Sequence, residues 1–262
     1  MIVIEDLWKT YDDVEVLQGL NLEVKSGEIL VILGRSGVGK SVLLKHIIGL
    51  TKPEKGFVEV NEVKITDLKG PALYHAVRNM GMLFQGSALF DSMTIEDNTG
   101  FYLRQHGNPT TGKPYTKTEY QEKIADALKM VGLEGTQNKM PAELSGGMKK
   151  RAALARLIVY RPSLLLYDEP TTGLDPIMAM QINDLIIKTQ KELRGTTIVV
   201  THDIVSALYI GDRLALHKDG KIAYIADPET FMKIDDPIIR FLKKMISEHP
   251  KNLGVNNNSQ KE

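Results

Sequence analysis

Hydrophobic and polar residues alternate at the start of this chain. Ile2 and Ile4, and then Leu20, Leu22 and Val24, stand between polar neighbours, a period of two that predicts half-buried antiparallel strands. The rhythm then changes. Residues 28–33 are a short continuous apolar run, which predicts a buried strand, and 42–48 carry a helical pattern stopped at Gly49. Residues 56–60 and 63–65 predict a hairpin turning near Asn61 and Glu62. Pro71 opens a short helix over 71–79, and 81–84 is a strand ending at Gln85. Strand-like runs then stop until Leu164. Helices are expected over 95–105, over 119–131 with Ile124, Ala127, Leu128 and Val131 at helical spacing, and over 146–160, with a polar, exposed loop at 106–118. After Leu164 strand and helix alternate again: strands at 164–167 and 197–200, helices at 177–193 and 204–210. A hairpin of 213–216 and 222–225 turns at Asp219 and Gly220, and a last helix spans 237–247. From Glu248 the sequence is polar and expected to be disordered on its own. The whole pattern describes an α/β core with antiparallel strands in front and a helical block inserted into it.

Composition narrows the classes of function. The 262 residues suffice for one large domain or a domain with a subdomain, and 42% hydrophobic residues supply a core. A formal net charge of zero gives no basic excess and argues against a nucleic-acid partner. The absence of cysteine excludes disulfides, thiolate metal sites and a cysteine nucleophile. Glu5 and Asp6 follow Met1 to Ile4 at once, unlike a secretory signal, and no apolar run approaches the roughly 18 residues of a membrane span. A cytoplasmic protein is expected, its membrane link, if any, made through a partner or a surface patch.

Two stretches carry phosphate chemistry. Gly34-Arg35-Ser36-Gly37-Val38-Gly39-Lys40-Ser41 fits G-x-x-x-x-G-K-[ST], with a strand before it and a helix from Val42 after it. The glycines let backbone N–H groups face a phosphate, and the helix N-terminus adds donors and partial positive charge. Lys40 can reach β- and γ-phosphates, and the Ser41 hydroxyl is placed for Mg²⁺. Residues 164–169 bury a strand and deliver Asp168 and Glu169 at its C-terminal end, where α/β sheets bind ligands. Asp168 suits Mg²⁺, and Glu169 suits the orientation or deprotonation of an attacking water. A third stretch, Leu144-Ser145-Gly146-Gly147-Met148, precedes a helix; its residues read first as an ordinary N-cap and second as another anion site.

In order and spacing these motifs resemble an ATP-binding-cassette (ABC) ATPase over roughly residues 2–240. The resemblance matches Lys40-Ser41 to the end of Walker A, Gln85 to the Q-loop, Leu144 to Gly147 to the signature, and Asp168-Glu169 to Walker B. It matches Leu174-Asp175 to the D-loop, His202 to the switch histidine, and Tyr11 to the aromatic residue that stacks on adenine. It implies a P-loop NTPase (RecA-like) core with an N-terminal antiparallel β subdomain and an inserted α-helical subdomain. The core would be 1–86 and 161–240, the helical subdomain 87–160, and the end of the last helix and the tail 241–262. Implied too are ATP bound by Tyr11 and by residues Gly34 through Val42, and Mg²⁺ held by Ser41, Gln85 and Asp168. Lys40, Gln85, Glu169 and His202 would act in hydrolysis.

The resemblance further implies a homodimer in which Ser145, Gly146, Gly147 and Asp175 of one copy meet the ATP of the other. The pair would sit beneath integral-membrane permease subunits at the cytoplasmic face of a membrane, with substrate-binding or small accessory subunits. Residues 86–105 would form part of the permease-facing surface, and Met80, Met82, Met93, Met130 and Met140 would pack the interior. A narrower resemblance, to the Mla/Mce-type ATPases of Gram-negative lipid transport, rests on Met148, on Phe84 to Asp91, on Leu144 to Arg151 and on Arg35. It implies phospholipid or another hydrophobic cargo. ABC proteins outside transport fit less well: translation-factor relatives carry two cassettes, and repair and chromosome relatives insert a coiled coil whose heptads this sequence lacks. A module that only binds ATP would have no use for Glu169 and His202.

Overall fold

The computed structural model describes residues 1–108 and 111–248, and their ten strands form two sheets. β1 (Ile2–Tyr11), β2 (Val14–Val24), β4 (Lys55–Val60) and β5 (Val63–Lys64) make an antiparallel sheet in the order β2-β1-β4-β5. The second sheet holds β3 (Ile29–Leu33), β6 (Met80–Leu83), β7 (Leu164–Asp168), β8 (Thr196–Thr201), β9 (Arg213–Lys218) and β10 (Lys221–Ala226), in the order β10-β9-β3-β8-β7-β6. All its pairings are parallel except that of the edge strand β10 with β9.

A parallel strand covered on both faces has no polar side, which is why residues 29–33 read as an unbroken apolar run. Ile29, Val31 and Leu33 enter one core, and Leu30 and Ile32 enter another. The first core lies under α3 (Ile95–His106), α4 (Lys117–Met130), α5 (Gly146–Ile158), α6 (Pro176–Leu193) and α7 (Ile204–Ile210). The second joins the antiparallel sheet to α1 (Lys40–Ile47), where Leu43, Leu44 and Ile47 meet Ile2, Ile4, Leu17 and Leu20. Met80 and Met82 pack with the second core and Met130 with the first. Among the described residues no helix is long and apolar enough to cross a membrane.

Several element ends differ from the pattern. α4 starts at Lys117, inside the expected polar loop, because Thr116 and Glu119 form a capping box that begins the helix before its first apolar residue. Residues 109–110 of that loop, and the tail beyond Glu248, lie outside the described residues. α2 (Gly70–Val77) stops short of Asn79, and Ile65 opens a 3-10 turn instead of continuing the hairpin. α8 (Pro228–Phe231) was not expected; four residues are too few to show a period. α9 (Pro237–Glu248) is fixed at its start by Asp236, whose carboxylate accepts from Lys218 Nζ at 2.9 Å and from the Ile238 amide at 2.8 Å. The Lys218 ammonium holds that carboxyl below the usual carboxylate range.

Candidate nucleotide site

The predicted phosphate loop joins β3 to α1. Its last glycine, Gly39, is the N-cap of α1 with φ 101° and ψ 8°, and a Cβ there would lie 2.6 Å from Val16 Cγ1. Only glycine satisfies both demands. No side chain caps α1 and its first turn holds no acid, so its N-terminal donors and dipole face the loop without a competing anion. Lys40 is buried. Its Nζ donates to the carbonyls of Gly34 at 2.8 Å and Arg35 at 3.0 Å, and stands 3.3 Å from Glu169 Oε1. Ser41 Oγ donates to Asp168 Oδ1 at 2.8 Å, closing the loop against the end of β7. Ser36, Gly37, Gly39, Lys40, Ser41 and Val42 line a cleft of about 400 Å³ together with Val16, Gln85, Glu169, Thr172 and His202.

Glu169 is the residue after β7 and has φ 49°. A left-handed backbone costs a non-glycine residue ~1–3 kcal/mol and persists only where the surroundings over-determine it. Here they do. Its amide donates to Val200 O at 2.9 Å, Lys40 faces Oε1, and Oε2 accepts from Thr172 Oγ1 at 3.2 Å and Thr201 Oγ1 at 3.3 Å. His202 Nδ1 lies 2.8 Å from the same oxygen. Burial raises the Asp168 carboxyl, against the lowering effect of the Ser41 hydroxyl. A hydroxyl and a carboxyl in contact, with Gln85 lining the same cleft, suit a cation that takes its other ligands from phosphates and water, as Mg²⁺ does. Among the described residues no group of three or more His, Asp or Glu could hold a metal by itself.

Tyr11 is exposed at the end of β1, with Lys9 Nζ 5.1 Å from its ring centroid; Val16, not Tyr11, lines the cleft. Val38 packs toward Gly34, and the Arg35 side chain is exposed beside an apolar trough shared with Ile238 and Phe241. Ser145 caps α5, its Oγ accepting from the Met148 amide at 3.3 Å; Ser145, Gly146 and Gly147 do not line the cleft of their own chain. Asp175 caps α6 by accepting from the Met178 amide at 3.0 Å. Beyond Gln85, Ser87 and Ala88 both have positive φ, and Arg156 of α5 donates to their carbonyls at 3.3 and 2.8 Å.

Sequence reasoning assigned no role of their own to Val16, Thr172, Thr201, Lys150 and His217. His217 on β9 is 1% exposed, and its carbonyl lies 2.9 Å from where a Cβ on Gly34 would stand. Burial, aided by the charge of Lys40, lowers its pKa from 6.5 to about 4. The unfolded chain therefore takes up this proton first. The contribution is fully present above pH 6.5 and is lost as pH falls toward 4, a change of about 3 kcal/mol. His217→Leu should flatten the decline of the urea midpoint between those pH values relative to the parent chain; an unchanged slope would contradict a buried neutral imidazole.

Comparison with known proteins agrees with this geometry. The family described as "ABC transporter" matches residues 17–172. The probable ribonucleotide transport ATP-binding protein mkl of Mycobacterium leprae is 36% identical over 91% of this chain and 67% of its own length. The protein of that name in Mycobacterium tuberculosis is matched over 65% of its length, so the chain spans about two thirds of these curated relatives. The methionine import ATP-binding protein MetN of Clostridium tetani is 38% identical over 98% of this chain and 78% of its own length. Among solved structures, the dimeric ATP-binding cassette MJ0796 in a post-hydrolysis state with ADP and Pi superposes with a TM-score of 0.79 at 32% identity, covering 87% of this chain and 99% of that one. CbiO1 from Clostridium perfringens, part of the ABC transporter complex cbiONQ, gives 0.79 at 30% identity, covering 95% and 96%. A phosphate loop closed by Ser41 on Asp168, with Glu169 held at its mouth, and likeness at this level along nearly the whole chain lead to one assignment: the chain belongs to the ABC transporter family of ATP-binding proteins.

Proposed function

We propose that this chain is the ATP-hydrolysing subunit of a transporter that moves phospholipid or another hydrophobic compound. The observation that carries hydrolysis is Glu169, a carboxylate fixed on both oxygens at the edge of the phosphate cleft. Nucleotide phosphates would lie against residues 34–41, with the N-terminus of α1 and Lys40 bearing their charge. Mg²⁺, held by Ser41, Asp168 and Gln85, would neutralise charge on the phosphate oxygens. Glu169 would orient the attacking water and take its proton, while Thr201, Thr172 and His202 fix the carboxylate that does so. Tyr11 would flank the adenine.

A second copy supplies the missing wall in this reading. Ser145, Gly146, Gly147 and Asp175 stand outside their own chain's cleft and are free to meet the phosphates bound by a partner. Closure of the two copies expels water and completes the site, and hydrolysis reopens it. The permease would dock on residues 86–105, where Phe90 is exposed and packs on Phe101 with centroids 4.8 Å apart and the ring planes tilted by 45°. The chain would thus work at the cytoplasmic face of a membrane.

Lipid cargo rests on Met148, on the sequence from Phe84 to Asp91 and on Arg35. A second reading, a small polar cargo, is favoured by relatives named for ribonucleotide transport and for methionine and trehalose/maltose import. Purification of the tagged chain from membranes in mild detergent separates the two. Co-purification of a polytopic subunit together with enriched phospholipid, and turnover raised by that lipid, is the expected result. Turnover raised by a polar solute, with no lipid enriched, would overturn the cargo; association with ribosomes or DNA and no polytopic partner would overturn transport.

A further inference from the structure

α5 does more than present its capped N-terminus. One turn in, it carries Lys150, which is only 9% exposed. The ammonium donates to Pro170 O at 2.8 Å and Thr172 O at 2.7 Å, and among the described residues no acid forms an ion pair with it. A buried ammonium is costly unless its protons are used, and a thioether of similar length would fill the space without that cost. Burial lowers the Lys150 pKa, and the charge of Glu169 opposes the change. The two carbonyls belong to the turn between Glu169 and the cap of α6. Thr172 continues the path: its amide donates to Glu169 O at 3.3 Å, and its Oγ1 to Glu169 Oε2 at 3.2 Å. A second contact joins the same elements, since a Cβ on Gly147 would lie 2.0 Å from Met178 Cε, so α5 touches the first turn of α6 as well.

We propose that Lys150 is a positioning residue for hydrolysis: it pins the turn 170–172 to α5 and, through Thr172, sets the Glu169 carboxylate. The proposal rests on the reading of Glu169 as the base. Glu169 has a left-handed backbone and depends on its neighbours for its pose, so releasing the turn that follows it removes the Thr172 contacts and loosens the carboxylate. The same link makes the pose of Glu169 depend on where the capped end of α5 stands. An event at Ser145 and Gly147 therefore reaches the catalytic carboxylate of the same chain through Lys150.

The test compares Lys150→Met, Lys150→Arg, Thr172→Val and the Lys150→Met/Thr172→Val double variant in the full-length chain, by steady-state ATP turnover. Lys150→Met should leave KM for ATP within about twofold and lower kcat about 10–100-fold, because positioning acts on the step and not on ATP binding. Arg, which can donate to the same carbonyls, should recover most of that loss. Thr172→Val should lower kcat about tenfold, and the double variant should fall no further than Lys150→Met alone, because two links of one path do not add. Wild-type kcat in Lys150→Met, a change confined to KM, Arg no better than Met, or effects that multiply in the double variant would each overturn the proposal. If Lys150→Met fails to fold or to bind ATP, Thr172→Ser against Thr172→Val decides: Ser keeps turnover and Val loses it, or the path does not operate. Glu169→Gln is run beside them. Near-wild-type turnover in that variant removes the hydrolysis reading itself, whereas an inactive Glu169→Gln with a fully active Lys150→Met removes only the role of Lys150.

Discussion

Glu169→Gln should bind ATP at least as well as the parent chain and lose about 10²–10⁴-fold in turnover, the loss expected when a general base is removed. The substitution keeps the size of the side chain and an oxygen that can face Lys40, 3.3 Å away. What it removes is a proton acceptor and one negative charge beside the phosphate cleft. The first change strikes the chemical step. The second relieves repulsion of an anionic ligand, so affinity should hold or tighten. The altered group also presents an amide to Thr172, Thr201 and His202, which surround Oε2. Equilibrium ATP binding together with single-turnover phosphate release would separate the two effects. A chemical step within a few-fold of the parent would exclude Glu169 as the base.

Ser145→Arg should abolish turnover while leaving the isolated monomer's affinity for ATP nearly unchanged. Ser145 is exposed at the start of α5 and does not line the cleft of its own chain. In a closed dimer the long side chain would occupy the space where the partner's phosphates meet the helix N-terminus. Loss of the cap costs about 0.5–2 kcal/mol, small against the 5–15 kcal/mol of a typical fold, so the variant should remain folded. ATP affinity measured at high dilution and turnover measured at high protein concentration form the pair of readouts. Weakened binding to the dilute monomer would mean that Ser145 serves the cleft of its own chain.

The legible parts of this molecule were those whose cause is local. Gly39 must be glycine for reasons of backbone angle and close approach, and such a demand shows in a sequence as a fixed spacing of glycines ahead of Lys40 and Ser41. The run 164–167 announced a covered strand because burial on both faces leaves no polar position. The grip on Glu169 was illegible, since Lys40, Thr172 and the adjacent pair Thr201 and His202 come from three separate places and meet only once β3, β8 and β7 lie side by side. Lys150 was hidden for another reason. In the basic run Lys149-Lys150-Arg151 it looks like part of a solvated helix face, and only burial distinguishes it from its neighbours. The start of α4 is written in Thr116 and Glu119, although the polar stretch around them reads as loop.

Lys150 and Arg156 stand six residues apart on an unbroken helix, a span of about 9 Å. One holds the carbonyls of Pro170 and Thr172, the other those of Ser87 and Ala88. α5 is thus a strut bolted at two points, and the turns after Glu169 and Gln85 are its fixtures. On the proposed role of Lys150, a displacement of the segment beyond Gln85 would be felt at the Glu169 carboxylate through α5, without passing through the nucleotide.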